Sequence, residues 1–428
     1  MRSSSLTTLT LLFLFAFVLR LIAIAVTGPA TIAFGDANDY IHTATQLCDS
    51  GSYPDRGSLP FFRAPGLPFF ISAVTLCNPS NVSRIKYALA AVDSLNVVLI
   101  ALLAMILFES RVTTCFAGLG ALCHPLFVAA VCDIRTEPLF MFLMTLSLTC
   151  VFASARRTRR RTYLLLAIVS GIVLSLAALT RPVALVLVPL FTMTQFLLGR
   201  PAKSEVPRAT AFILGVSITL SPWVIRNGVR YGELIVVNDA GGYNFWRGSH
   251  PEMSRIAGIR GRAAYLHAGE AFEQTSAAMA ARIDMAHRSF RARSRAWFQE
   301  GLRNIEADRG GAARFAMRKA AVFWRPWLNP QEFRWQTVLF SGLILSLLEI
   351  LAAAQLVSMR TNRRPLVLWI ILFFVILWLT HIPYQVVMRF RVPFTDPLLI
   401  VLASACLGGW IEQKRLGFKR TQIGVRSR

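Results

Sequence analysis

Acidic side chains are scarce in this chain: 22 Asp and Glu stand against 46 Lys and Arg in 428 residues, a formal net charge of +24. So basic a balance calls for an anionic partner. Nucleic acid is not the one the pattern favours, because most of the Arg and Lys fall in short clusters between apolar runs or in one long loop, where lipid headgroups would meet them. Charge of either sign is thin, at 16% of residues against 55% hydrophobic, and the mean hydropathy is +0.52. One soluble core would not bury that much apolar side chain. The seven cysteines include no C-x-x-C pair, which removes a common redox and zinc spacing. Cys115, Cys123, Cys150 and Cys406 lie inside apolar runs as small hydrophobes. Cys48 and Cys77 share one hydrophilic stretch and are compatible with a disulfide or with two free thiols.

Long hydrophobic runs are what the chain has in abundance. About ten can cross roughly 30 Å of hydrocarbon as helices, at 6–27, 86–108, 112–131, 137–154, 162–180, 182–198, 209–225, 337–357, 364–382 and 393–411. The chain therefore reads as an all-α polytopic membrane protein. Alternate threading collects Arg2, "RRTRRR" (156–161), "GRPAKSEVPR" (199–208), "MRTNRR" (359–364) and the basic end of the chain on one side. By the positive-inside rule that side is cytoplasmic, with both termini inside. The first run follows an Arg and ends in small residues, as a cleaved signal peptide does, but its length and Arg20 within it favour a retained helix. The expected organisation is an N-terminal membrane module with the first outer loop over 1–225, an extracytoplasmic subdomain over 226–336, further membrane helices over 337–411 and a basic cytoplasmic tail over 412–428.

The same threading places "GDANDYIHTATQL" (35–47), "FFRAPGLPFF" (61–70), "CDIRTEP" (132–138), Thr180–Arg181, the long loop and "HIPYQVVMRFRV" (381–392) outside. Each has an ordinary structural reading. Asp36 and Asp39 fit solvated loop acids, or caps of a helix beginning near Asn38. Glu137 precedes Pro138 at a helix start, where a carboxylate complements the helix dipole. Arg63, Arg181, Arg389 and Arg391 suit side chains that reach up to headgroups. Convergence favours function: two acidic sites and several arginines on one face of a many-helix bundle suit an anionic, membrane-borne substrate.

The loop itself is not filler. "GGYNFWRGSHPE" (241–252) is rich in turn formers and aromatics, and Met285, Phe290, Trp297, Phe298, Leu302 and Ile305 recur at helical intervals. Two or three amphipathic helices are expected, with Trp324 and Trp327 as interfacial anchors.

These motifs, in this order, also carry a resemblance. "GDANDYIHTATQL", "RAPGLPFF", "TEPLFMFL", "LAALTRPVALVLVPL", "SPWVIRNGVRYGELIVVNDAGGYNFWRG" and "MRFRVPFTDPLLIVLAS" together resemble a GT-C glycosyltransferase of the branch that includes protein O-mannosyltransferases and the lipid A aminoarabinose transferase. The resemblance implies inverting transfer from a polyprenyl-phosphate-linked sugar to a lipid, glycan or protein acceptor, on the outer face of a bacterial plasma membrane. It implies Asp36, four residues before Tyr40, as general base, and Glu137 as the second acid, orienting the acceptor or a divalent metal. Arg63 takes the place of a basic residue near the donor phosphate, although this chain reads Arg-Ala-Pro where the aminoarabinose transferase has Lys-Pro-Pro. Tyr40, Arg181, Arg389 and Arg391 follow by position as substrate contacts.

The residue types fit that chemistry. A carboxylate takes the proton of an attacking hydroxyl, and guanidinium donors stabilise the charge growing on a lipid phosphate as it leaves. No nucleotide-binding loop is required, because the lipid supplies the activated sugar. A transporter or flippase of lipid-linked sugars would also need arginines on the outer face, but it should show polar residues inside several helices or repeated halves. Arg20, Asp93 and Asn96 stand singly in the sequence. A non-catalytic membrane scaffold would leave the paired acids incidental.

Overall fold

The computed structural model describes residues 3–32, 35–55, 62–198, 205–259, 261–287, 289–359 and 363–426, with side chains described from 6 to 414. Among the described residues there are only helices, turns and coil. In chain order they are α1 (Ser3–Thr27), α2 (Gly35–Ser50), α3 (Gly66–Thr75), α4 (Val82–Phe108), α5 (Arg111–Leu122), α6 (Pro125–Val131), α7 (Glu137–Arg156) and α8 (Arg160–Thr180). A 3-10 turn (Pro182–Leu187) leads into α9 (Val188–Leu197) and then α10 (Glu205–Tyr231). The loop holds α11 (Gly241–Ser249), α12 (Pro251–Ile256), α13 (Arg262–Ala286), α14 (Phe290–Ala307) and α15 (Arg309–Phe323), and the chain ends in α16 (Trp335–Met359), α17 (Arg364–His381) and α18 (Met388–Arg426).

All ten apolar runs are helical, but they are not alike. Among the described residues eight helices are long and apolar enough to span a membrane, and α5 with α6, bent by 47° at the break between them, would make a ninth if the pair crosses as one span. The bend has a local cause: Pro125 opens α6 without an amide hydrogen, and His124 before it is extended, as a residue preceding proline prefers. The tenth run is interrupted by Pro182 and Pro189 and stays short, a 3-10 turn continued by ten residues of α-helix. Elsewhere small residues bring helices close. A Cβ on Gly171 would lie 2.1 Å from the Phe212 carbonyl oxygen, and one on Gly215 would lie 2.3 Å from that of Ile168, so α8 and α10 cross backbone to backbone.

Helix ends sort by charge. At one end of the bundle Arg156 pairs with Glu109 at 2.7 Å, Arg156 and Arg363 both donate to the Leu107 carbonyl, and Ser110 donates to Glu412 at 2.8 Å. These are ends that threading places together. Arg2, residues 199–204 and 360–362 and the last two residues of the basic tail lie outside the described residues. The tail's described backbone, to Arg426, continues α18 as helix.

Among its described residues the long loop forms five helices around its own aromatic core. Trp246 lies 4.6 Å from Trp297 and 5.6 Å from Phe272 between ring centres, with Tyr243 5.1 Å from Trp297. Phe290 and Trp297 face inward as their spacing suggests, whereas Met285, Phe298 and Leu302 are exposed. Lys319 docks the loop on the α17–α18 connection, donating to the carbonyls of Gly248 and Tyr384 at 2.8 and 3.2 Å, and Arg247 reaches Gln385 at 3.0 Å. Burial lowers the Lys319 amine to about 8. Trp324 is no surface anchor: it packs on Phe374 within the bundle, 5.7 Å between ring centres. Trp327 is exposed.

Candidate active site

The acids of the opening motif lie on α2, which starts at Gly35, earlier than the Asn38 start expected of a cap. Their carboxylates are instead spent on guanidiniums. Arg63 donates Nη2 to Asp36 Oδ1 at 2.9 Å and Nε to Asp39 Oδ2. Asp36 remains part-exposed, while Asp39 is buried, which corrects its reading as a solvated loop acid. The guanidinium also lies over the Tyr40 ring, 4.7 Å from its centre.

Arg63 is held by its backbone. The Tyr53 hydroxyl donates to the Arg63 carbonyl at 2.8 Å, and Arg226 of the "SPWVIRN" motif donates to the Tyr53 carbonyl at 2.7 Å. Three residues on, a Cβ at Gly66 would come 2.8 Å from the Thr180 Cα. Only glycine lets the Arg63 segment sit against the end of α8, and Arg181 is the next residue of that end.

Arg181 and Glu137 form the second half of the site. Glu137 is buried at the start of α7, with Arg181 Nη2 3.6 Å from its Oε1 and the Thr136 hydroxyl 3.4 Å from its Oε2. Arg181 lies against Phe140 and Phe390, and its Nη1 is buried with no hydrogen-bond partner. Arg389, at the start of α18, donates to Asp36 Oδ2 at 3.0 Å. Asp36 is thus gripped on both oxygens by residues far apart in sequence.

One charged residue beyond those singled out in the sequence belongs to this cluster. Arg135 lies within electrostatic reach of Glu137, Arg389 and Asp36. Its signal in the sequence was its place two residues before Glu137, inside "CDIRTEP". Four guanidiniums, of Arg63, Arg135, Arg181 and Arg389, therefore face three carboxylates, while Asp133 on the same turn is matched by Lys86. The balance favours an anion.

The pKa directions follow from this crowding. Burial pushes the Asp36 carboxyl up, but Arg63 and Arg389 outweigh it and hold it below the ordinary aspartate value. Burial opposes charge on Arg63, yet Tyr40, Asp36 and Asp39 raise it above an ordinary arginine. Burial raises the Tyr40 hydroxyl. At Arg135 burial lowers the guanidinium, with Glu137 offsetting part of the effect.

Arg391 does not join the others. Its guanidinium is buried, donates to Glu349 of α16 and lies 3.6 Å from Asp396. On a helix, residues two apart point about 200° from each other, so Arg389 and Arg391 face different ways. Nor do the acids gather as metal ligands: among the described residues no three His, Cys, Asp or Glu side chains converge as a metal site would require. A cavity of about 290 Å³ adjoins the cluster at Pro182, between the 3-10 turn, residues 234–239 and α14.

No protein-family model matches the chain, and no curated protein sequence matches it. Solved structures do. The Archaeoglobus fulgidus oligosaccharyltransferase, tethered to an acceptor peptide containing the NVT sequon, aligns with a TM-score of 0.55 at 12% identity, over 98% of this chain and 51% of that one. The chain thus spans about half of that enzyme. ArnT from Cupriavidus metallidurans bound to undecaprenyl phosphate aligns at 15% identity and a TM-score of 0.45, over 93% of this chain and 76% of that one. At such identities the likeness is one of fold, carried by the oligosaccharyltransferase: the chain has the GT-C-like membrane fold expected from its sequence.

Proposed function

We propose that this protein is a GT-C glycosyltransferase that moves a sugar, with inversion, from a polyprenyl-phosphate-linked donor to an acceptor hydroxyl at the outer face of the membrane. The observation that carries the reading is the Asp36 carboxylate, held between Arg63 and Arg389 beside an Arg181 guanidinium with a buried, unpartnered Nη1. In this reading the donor phosphate takes that open donor and draws Arg63 and Arg389 toward itself. Asp36, relieved of both, becomes basic enough to accept the proton of the attacking hydroxyl. The guanidiniums meanwhile stabilise the phosphate as it leaves. Glu137 holds Arg181, and Asp39 holds Arg63.

Arg20 and Asp93, which stood singly in the sequence, pair with each other inside the bundle, and the Asp36 cluster favours the enzyme reading over a transporter. The side of the membrane rests on the arginine clusters: a reporter near Arg160 should behave as cytoplasmic and one near Gly258 as external. The donor is tested by mass spectrometry of lipid-linked sugars and envelope glycans in cells with and without the protein. A lipid-linked sugar should accumulate, and one glycan should lose that sugar, when the protein is absent. Unchanged lipid and glycan profiles would reject the reading.

A further inference from the structure

Far from the Asp36 cluster, six ionisable side chains form a chain through the bundle. Arg20 of α1 donates Nε to Asp93 Oδ2 of α4 at 2.5 Å, with neither side chain exposed. His124, at the break between α5 and α6, lies within electrostatic reach of Asp93 and places Nε2 3.2 Å from Asp396 Oδ2 of α18. Asp396 is also approached by Arg391 Nη2 at 3.6 Å and accepts from the Thr395 hydroxyl at 2.9 Å. Arg391 donates in turn to Glu349 of α16.

The charges do not balance. Asp93, Asp396 and Glu349 are three carboxylates, while Arg20 and Arg391 are two guanidiniums. With a neutral imidazole the group carries one uncompensated negative charge at membrane depth, which is costly; one additional proton makes it neutral. Asp93 Oδ1 and His124 Nδ1 are buried without hydrogen-bond partners, so the group has positions for that proton.

We propose that Asp93, His124 and Asp396 form a proton-binding site inside the helix bundle, and that the bound proton fixes α18 against α4 and the α5–α6 break. Arg389 lies two turns before Asp396 on the same helix, so the site positions the guanidinium that grips Asp36. This last step rests on the proposed function; the proton site does not.

Denaturant-driven unfolding of the full chain in micelles, across a pH series, tests it. The folded form holds a proton that the unfolded form releases, so stability falls as pH rises. The unfolding constant should grow by up to about tenfold per pH unit where the proton leaves. Glu349→Gln and Asp396→Asn each leave two guanidiniums against two carboxylates, and each should lose that component of the slope. His124→Gln removes the imidazole that faces Asp396 and should lower stability, and adding Asp396→Asn to it, which removes one of the three carboxylates, should restore stability. If Glu349→Gln and Asp396→Asn keep the wild-type slope, or the double variant is no more stable than His124→Gln, the proton site is wrong. Should Asp396→Asn fail to fold, Glu349→Gln, on a part-exposed side chain, decides alone. Polyprenyl phosphate should bind the wild type more weakly as pH rises and Glu349→Gln less so. Equal pH dependence in both would overturn the positioning of Arg389 while leaving the proton site standing.

Discussion

Two groups of arginines and carboxylates occupy this molecule, and they are built to opposite rules. Inside the bundle, Arg20 gives Nε to Asp93 and its remaining donors to the carbonyls of Ala16, Ala121 and Leu122. That guanidinium is closed. Around α2, Arg63 is shared between two acids, Asp36 is shared between two arginines, and Arg181 keeps a buried donor without a partner. The difference shows how one residue pair can serve structure or chemistry: the Arg20 guanidinium is closed by its partners, and the outer group is left short of an anion.

The largest expected effect comes from removing the base of the open group. Asp36→Asn should lower transfer by roughly 10² to 10⁴, the usual loss for a general base, while lipid donor still binds. Arg20→Ala should instead leave Asp93 an unpaired buried charge and reduce the amount of folded protein. If both substitutions merely reduced folded protein, the comparison would fail.

Next in size are the arginine contacts. Arg63→Ala should weaken use of the lipid-linked donor by about 10- to 100-fold, on the scale of a lost charged hydrogen bond. Arg63→Lys should fall between, since it keeps charge but loses the fork. Asp39→Asn should act in the same direction by loosening Arg63, with KM rising more than kcat falls. Equal donor kinetics in all three variants would remove Arg63 from the site.

The pH profile sharpens the comparison further. Arg63 and Arg389 hold Asp36 below the ordinary aspartate value, so in the free protein its ionised form, and the stability it lends, is lost only as pH falls through that lowered value. The acid limb of kcat/KM, which reports the free enzyme, should therefore lie below the usual carboxylate range. The limb of kcat should lie higher, because bound donor draws the arginines away. Coincident limbs would contradict the release of Asp36 by the donor.

The smallest effect concerns the loop. Lys319 is depressed to about 8, so between there and the ordinary lysine value the folded loop holds fewer protons than the unfolded one, and docking strengthens as pH rises. Lys319→Met should abolish that rise and cost about 1 kcal/mol of docking, read as faster hydrogen exchange in α11 and α15. An unchanged rise would put its cause elsewhere.

How far the sequence carried depended on whether a feature was local. Apolar runs announce helices because length and hydropathy are properties of one segment, and all ten runs are helical. The α5–α6 break was not anticipated, since 112–131 was read as one run, although its proline stands in "CHP". The Cys48–Cys77 disulfide, which joins the end of α2 to the end of α3, was left open, because cysteine spacing alone does not choose a partner. Asp36, Arg63, Glu137, Arg181 and Arg389 were marked by motif order, but their pairing was not, since the partners lie up to 353 residues apart. Arg135 was missed because a lone arginine in a turn has an ordinary solvated reading. Arg391 was grouped with Arg389 although helical geometry separates them. Arg20 and Asp93 stood singly in the sequence because their contact joins two helices 73 residues apart.

The central claim is that the open cluster around Asp36 turns over a polyprenyl-phosphate sugar. The direct measurement is release of polyprenyl phosphate from that donor by purified protein in lipid nanodiscs, with an acceptor extract present, for wild type and Asp36→Asn at matched donor occupancy. The wild type should release polyprenyl phosphate in step with glycosylated acceptor, and Asp36→Asn should bind donor and release almost none. Equal release from both proteins would contradict the account.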